Sequence, residues 1–145
     1  MKIKHEYTIS EIDELRSLAV NFLETLPGHA IICLEAEMGA GKTTFTQFVL
    51  QAMGIEHPEG SPTYSIVNEY FSPKYGKVFH LDLYRTDTEE ELYDIGLEEI
   101  IYGDSIAFIE WPSRAVHLLP DNIIYLYIKR NINGSRTFTW ETEIE

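Results

Sequence analysis

The chain has a single cysteine among its 145 residues, so no intramolecular disulfide can form and a reducing compartment is expected. Cys33 sits in the apolar run Ala30-Ile31-Ile32-Cys33-Leu34, where a free thiol behaves as a small buried hydrophobe. Basic residues are scarce: 11 Lys and Arg against 24 Asp and Glu leave a net charge of −13. Such a field repels phosphate backbones and anionic lipid, which argues against direct nucleic-acid binding as the main activity and leaves any nucleic-acid role to a more basic partner. Long apolar runs are missing as well. No segment approaches the roughly 20 residues of a membrane span, and Met1-Lys2-Ile3-Lys4-His5-Glu6 is too polar for a secretory signal. A cytoplasmic protein without membrane partners is expected. His5, His29, His57, His80 and His117 show no metal-ligand spacing, and each reads as surface or as satisfied core. With no repeat, linker or low-complexity segment, one domain over residues 1–145 is predicted.

Residues 2–8 alternate in character and predict a short strand. Ser10, with Asp13 three residues on, resembles a helix N-cap signal. Ile12, Leu15, Leu18, Ala19, Phe22, Leu23 and Leu26 then follow helical spacing, predicting a helix over 11–25. The run 30–36 is apolar apart from Glu35, as a strand covered on both faces requires. A glycine loop follows, and Phe45, Phe48, Val49, Ala52 and Met53 fit a helix over 42–53 that Gly54 can cap. Segments 64–71 and 77–84 predict an antiparallel hairpin. An acidic helical stretch over 88–102, broken near Gly96, leads to a strand at 106–109 that ends in Glu110-Trp111-Pro112. A short helix over 113–118 comes next, then strands at 122–130 and 136–143 joined through Asn133-Gly134, a hairpin signal.

Ala36-Glu37-Met38-Gly39-Ala40-Gly41-Lys42-Thr43 matches the P-loop pattern except at its first glycine, which is Ala36 here. In such a loop successive N–H groups, from Met38, Gly39, Ala40 and Gly41 to Lys42, Thr43 and Thr44, form an anion nest in front of a helix N-terminus. Gly39 and Gly41 lack side chains where φ is positive or phosphate must come close. Ala36 is accordingly expected at negative φ. Lys42 carries positive charge to the β and γ phosphates of ATP, and the Thr43 hydroxyl is an oxygen ligand for Mg²⁺. Asp82, a hydrophilic break in Phe79-His80-Leu81-Asp82-Leu83-Tyr84, suits a carboxylate that reaches Mg²⁺ through water, with the capping of a following turn as the rival role. Glu110 closes a buried strand, where it could orient the attacking water or lie as a solvated acid just past the sheet. Ser61-Pro62-Thr63 is placed where a loop could sense the γ-phosphate. Asp87, Glu89, Glu90, Glu91, Asp94, Glu98 and Glu99 read as a solvated helix face, or as a docking surface for a basic partner. The fold class is α/β: a P-loop-type three-layer sandwich around a mixed, mostly parallel sheet, with antiparallel hairpins.

Taken in order, Glu37-Met38-Gly39-Ala40-Gly41-Lys42-Thr43-Thr44, Ser61-Pro62-Thr63-Tyr64, Val67-Asn68-Glu69-Tyr70, His80-Leu81-Asp82-Leu83-Tyr84-Arg85, Leu92-Tyr93-Asp94-Ile95-Gly96-Leu97 and Ile109-Glu110-Trp111-Pro112 resemble the TsaE (YjeE) family. The resemblance spans residues 10–125 and assigns the terminal hairpin no role. It implies an ATPase component of the bacterial machinery that makes N6-threonylcarbamoyladenosine beside the anticodon of ANN-decoding tRNAs. Implied partners are TsaD, which carries out the transfer, and TsaB, with the tRNA met mainly through that complex; ATP hydrolysis would permit repeated cycles. By the same resemblance Thr43, Asp82 and Glu110 serve Mg²⁺ and hydrolysis, Thr63 belongs to a switch-like segment, and Trp111 lies near the nucleotide or the partner.

Two rival readings come from other classes. A small-molecule kinase would use the same loop but needs a lid, usually rich in arginine, to exclude water; Arg16, Arg85, Arg114, Arg130 and Arg136 are scattered instead. An ATP-dependent binding module would assemble a complex without turnover. Guanine selectivity lacks its Asn-Lys-x-Asp run.

Overall fold

The apolar run around Ile32 becomes the middle of a seven-stranded sheet. In the computed structural model, which describes residues 1–36, 41–58, 67–83, 96–111, 119–120 and 123–143, the elements are β1 (Lys2–Ile9), α1 (Glu14–Glu24), β2 (Ala30–Ala36), α2 (Lys42–Ala52), β3 (Val67–Ser72), β4 (Gly76–Asp82), α3 (Leu97–Ile101), β5 (Ile106–Glu110), β6 (Ile124–Arg130) and β7 (Arg136–Glu143). Strand order is β1-β7-β6-β2-β5-β4-β3. The four inner strands β6, β2, β5 and β4 run parallel. Antiparallel pairs flank them: β3 with β4 on one side, and β7 with β6 and β1 on the other.

Side chains alternate across each strand, which sorts the core into two layers. Ala30, Ile32 and Leu34 of β2, with Ile106 and Phe108 of β5, pack against Leu15, Leu18, Phe22, Phe45, Val49 and Leu50 of α1 and α2. Ile31, Cys33, Ala107 and Ile109 face the other way, toward Leu97, Ile100 and Ile101 of α3. Helices therefore cover both faces of the parallel strands, and the predicted three-layer arrangement is present. No helix among the described residues is long and apolar enough to cross a membrane.

An aromatic cluster locks α1 and α2 to β7. Phe22 meets Phe45 at 5.3 Å and Trp140 at 5.0 Å, both edge to face, and Phe45 stacks on Phe138 at 5.3 Å. Trp140 Nε1–H donates to Thr25 Oγ1 at 3.0 Å, so this buried indole has the polar partner it needs. Helix α2 ends in a Schellman motif, as Gly54 predicts: Gly54 N–H donates to Gln51 O and Ile55 N–H to Leu50 O, both at 3.0 Å, with Gly54 at φ 93°.

Some boundaries differ from the sequence reading. Helix α1 starts at Glu14, after turns closed by Glu14 N–H to Glu11 O and Leu15 N–H to Ile12 O, so Ser10 is not its N-cap. Ile12 keeps helical spacing but lies before the helix axis is established, and it is 60% exposed. Gly96, at φ 76°, is the N-cap of α3, in keeping with the break expected there. The acidic stretch up to Ile95, the switch-like segment containing Thr63 and the predicted helix over 113–118 lie outside the described residues.

Candidate functional site

Parallel strands put their carboxyl ends on one edge of the sheet, and the sequence sends its polar residues there. Strand β2 ends at Ala36, and the chain enters α2 through Gly41 at φ 114°, ψ 21°. Only glycine adopts that conformation without strain. Ala36, by contrast, is an ordinary strand residue. Trp111 is the sole non-glycine with positive φ among the described residues, so alanine in place of the first loop glycine costs no backbone strain.

Helix α2 begins with no side-chain cap and no acidic residue in its first turn. The positive end of its dipole therefore meets no acidic side chain within that turn. Lys42 is 8% exposed. Its ammonium lies 3.5 Å from Ala36 O, the outer limit of a hydrogen bond, and 4.2 Å from the centroid of the Trp111 ring. No carboxylate among the described residues forms an ion pair with it. A buried cation held by a ring and one long contact is suited to an incoming anion. Thr43 and Thr44 are half-buried in the same turn, whereas Thr46 Oγ–H bonds back to Lys42 O at 2.9 Å and stays inside the helix. Of the loop residues singled out in the sequence, Met38, Gly39 and Ala40 are outside the described set.

The two candidate acids stand side by side. Asp82 closes β4, Glu110 closes β5, and the two residues are register partners in the parallel pair. Val78 and Phe108 on these strands face α1 and α2, so the two-residue period turns His80, Asp82 and Glu110 to that same side. Asp82 is half-buried and Glu110 is 3% exposed. Glu110 is therefore a buried strand residue, not a solvated acid beyond the sheet. Directly after it Trp111 takes φ 60°, a costly conformation for an aromatic residue, and its ring lies against Lys42. Outlier, acid and lysine occupy one corner.

His80 was expected to be surface or satisfied core, and it is neither. It is fully buried, with Nε2 2.6 Å from Glu110 Oε2. Its Nδ1 has no hydrogen-bond partner among the described residues, and an unmet buried polar atom costs about 1–3 kcal/mol. No sequence spacing links residues 80 and 110. Arg136 was also missed. Its Nη1 lies 2.8 Å from where a Cβ on Gly41 would stand, which brings the first residue of β7 to the start of α2. Arg136, Gly41 and Thr44 line a pocket of about 230 Å³ whose apolar wall is Ile12, Leu15 and Phe138. A larger cavity of about 710 Å³ lies between the β3–β4 hairpin and α3, lined by Val67, Lys77, Phe79 and Glu99 among others, and shares no residue with this corner.

Cys33 lies in β2 with its side chain on the α3 face and its thiol pushed up to about 12, by burial first and by the nearby Glu35 second. It is protonated and inert near neutral pH. Among the described residues no group of three or more His, Cys, Asp and Glu side chains could hold a metal ion alone. Asp82 and Glu110, paired in register, are hard-oxygen donors, and Thr43 in the first turn of α2 carries another. That chemistry fits Mg²⁺, which keeps several waters and takes one or two carboxylates together with phosphate oxygens.

Residues 9–138 match the family described as threonylcarbamoyl adenosine biosynthesis protein TsaE. The chain is 34% identical over 110 residues to the tRNA threonylcarbamoyladenosine biosynthesis protein TsaE of Bacillus subtilis (strain 168), covering 76% of this chain and 68% of that protein. With the protein of the same description from Aquifex aeolicus it shares 35% identity over 116 residues, 79% of this chain and 81% of the other. The crystal structure of Bacillus subtilis YdiB superposes with a TM-score of 0.77 at 25% identity, over 98% of this chain and 87% of that one. The matched span reaches past residue 125 into β7 and includes Arg136.

Proposed function

The chain belongs to the TsaE family, and from that premise we propose that it is a cytoplasmic P-loop ATPase serving the formation of threonylcarbamoyladenosine in ANN-decoding tRNAs. It binds ATP with Mg²⁺, acts on a TsaD–TsaB pair, and by hydrolysis permits that pair repeated cycles. The observation that carries this reading is buried Lys42 in the first turn of α2, which has no side-chain cap, with no carboxylate partner among the described residues and its ammonium over the ring of Trp111, the residue that follows Glu110.

The residues divide the work as follows. The turn at Gly41 and the N–H groups of α2 receive the phosphates, and Lys42 exchanges the Trp111 ring for phosphate oxygens. The pocket beside Arg136 takes the nucleoside, its apolar wall of Ile12, Leu15 and Phe138 against the base. Thr43 and Asp82 would hold Mg²⁺, with the Glu110 carboxylate bordering the same site. When bound, the ion would supply positive charge against the charge that builds on the phosphate oxygens. Glu110 orients the attacking water and takes its proton. The net charge of −13 suits a component that meets tRNA through its partners.

The test is ATP turnover by this chain alone and with purified TsaD-like and TsaB-like proteins, for wild type and Glu110→Ala. Stimulation by the partners that Glu110→Ala abolishes, together with loss of multiple-cycle tRNA modification, is the expected result. Many modification cycles supported by a Glu110→Ala protein that still binds ATP would make this a binding module instead.

A further inference from the structure

We propose that His80 is a positioning residue for the reaction, its imidazole fixing the direction of the Glu110 carboxylate. The inference rests on the reading of Glu110 as the residue that orients water.

Three observations carry it. His80 Nε2 and Glu110 Oε2 are 2.6 Å apart with both side chains buried, a distance in the range of charge-assisted bonds. The contact joins neighbouring parallel strands two register positions apart, His80 pairing with Phe108 and Asp82 with Glu110. The imidazole therefore leans along the strand toward the carboxyl edge, where α2 begins. Third, the arrangement leaves Nδ1 buried and unmet among the described residues. A histidine kept only for packing would be served as well by leucine, with no polar atom stranded. One kept to hold Glu110 must present Nε2–H and accept whatever befalls Nδ1.

A carboxylate on a two-carbon stem rotates freely about its last torsion unless one oxygen is pinned. A hydrogen bond to Oε2 from His80 narrows the orientations open to the group, as outer partners do for ligands and bases elsewhere. His80 touches neither nucleotide nor water in this scheme and acts only through Glu110. It predicts an effect on the chemical step and little effect on nucleotide binding, which depends on the α2 N-terminus and Lys42.

Two variants separate the roles: His80→Leu removes the donor, and His80→Gln keeps an N–H within reach of Oε2. Turnover is measured with the TsaD-like and TsaB-like partners, alongside ADP affinity by calorimetry and folding by circular dichroism. His80→Leu should lose about 10- to 100-fold in kcat with KM and ADP affinity within about twofold of wild type, and His80→Gln should recover most of the loss. Independently of activity, ¹⁵N-histidine-labelled protein should show a protected, downfield Nε2–H proton resonance that shifts upfield in Glu110→Gln. Equal kcat in His80→Leu and wild type, failure of His80→Gln to rescue a folded protein, or absence of that resonance would overturn the proposal. Glu110→Gln turnover is read in parallel. If it is normal, the reading of Glu110 falls and takes this inference with it; if it is lost while His80→Leu is unimpaired, only this inference falls.

Discussion

Gly41→Ala is the perturbation whose cost can be worked most directly. At φ 114° the residue lies well beyond the left-handed region open to L-residues, near +50° to +70°. A side chain there costs about 2–3 kcal/mol in backbone strain. The new Cβ would also meet Arg136 Nη1 at 2.8 Å, but a guanidinium is the far end of a flexible side chain and can swing aside. The clash thus adds little to the stability loss while moving Arg136 off the pocket wall. At about 3 °C per kcal/mol for a chain of this size, melting should fall by about 6–9 °C. Gly28→Ala is the control: nothing lies within 4 Å of its added Cβ and its φ is ordinary, so it should stay within about 0.5 kcal/mol of wild type. Differential scanning calorimetry reads both, and ADP titration should show binding lost in Gly41→Ala alone. If Gly41→Ala melts with Gly28→Ala and binds ADP normally, the positive φ is not a property of the folded protein and the turn into α2 has been misread.

Two further outcomes follow from the core. Trp140→Ala removes a side chain that is 1% exposed, packs on Phe22 and donates to Thr25; urea unfolding should show a loss of about 3–5 kcal/mol, and a loss under 1 kcal/mol would contradict the packing of β7 on α1. Cys33 should resist a thiol reagent at pH 8 until the chain unfolds. Its folded value of about 12 lies above the unfolded 9.0, so between those values the folded state keeps a proton that the unfolded state has lost. Stability from this group is complete below pH 9 and declines as pH rises toward 12; Cys33→Ala should flatten that decline in urea titrations at pH 8 to 10.5.

Local chemistry was legible and long-range pairing was not. The β2–loop–α2 unit announces itself because an apolar strand, glycines with a steric reason to be there, and a helical stripe follow within 25 residues. Gly54 and Asn133-Gly134 were read for the same reason: each acts on its own neighbours. The antiparallel flanks reach further than the predicted hairpins, since β1 pairs with β7 from the opposite end of the chain, and nothing local marks that. Ile12 misled because helical spacing continues one turn before the helix does. His80 reaches Glu110 only because β4 lies parallel to β5, and Arg136 reaches Gly41 only because β7 returns past α2. Both contacts are products of topology, which no spacing along the chain encodes.

The central claim is that this corner of the sheet holds a nucleoside triphosphate through Lys42. Calorimetric titration of wild type and Lys42→Ala with ATP and Mg²⁺ tests it most directly. Saturable one-to-one binding by wild type that falls by at least about 100-fold in a Lys42→Ala protein of unchanged fold is the predicted result. Equal affinity in the two proteins, or no binding by wild type, would contradict it.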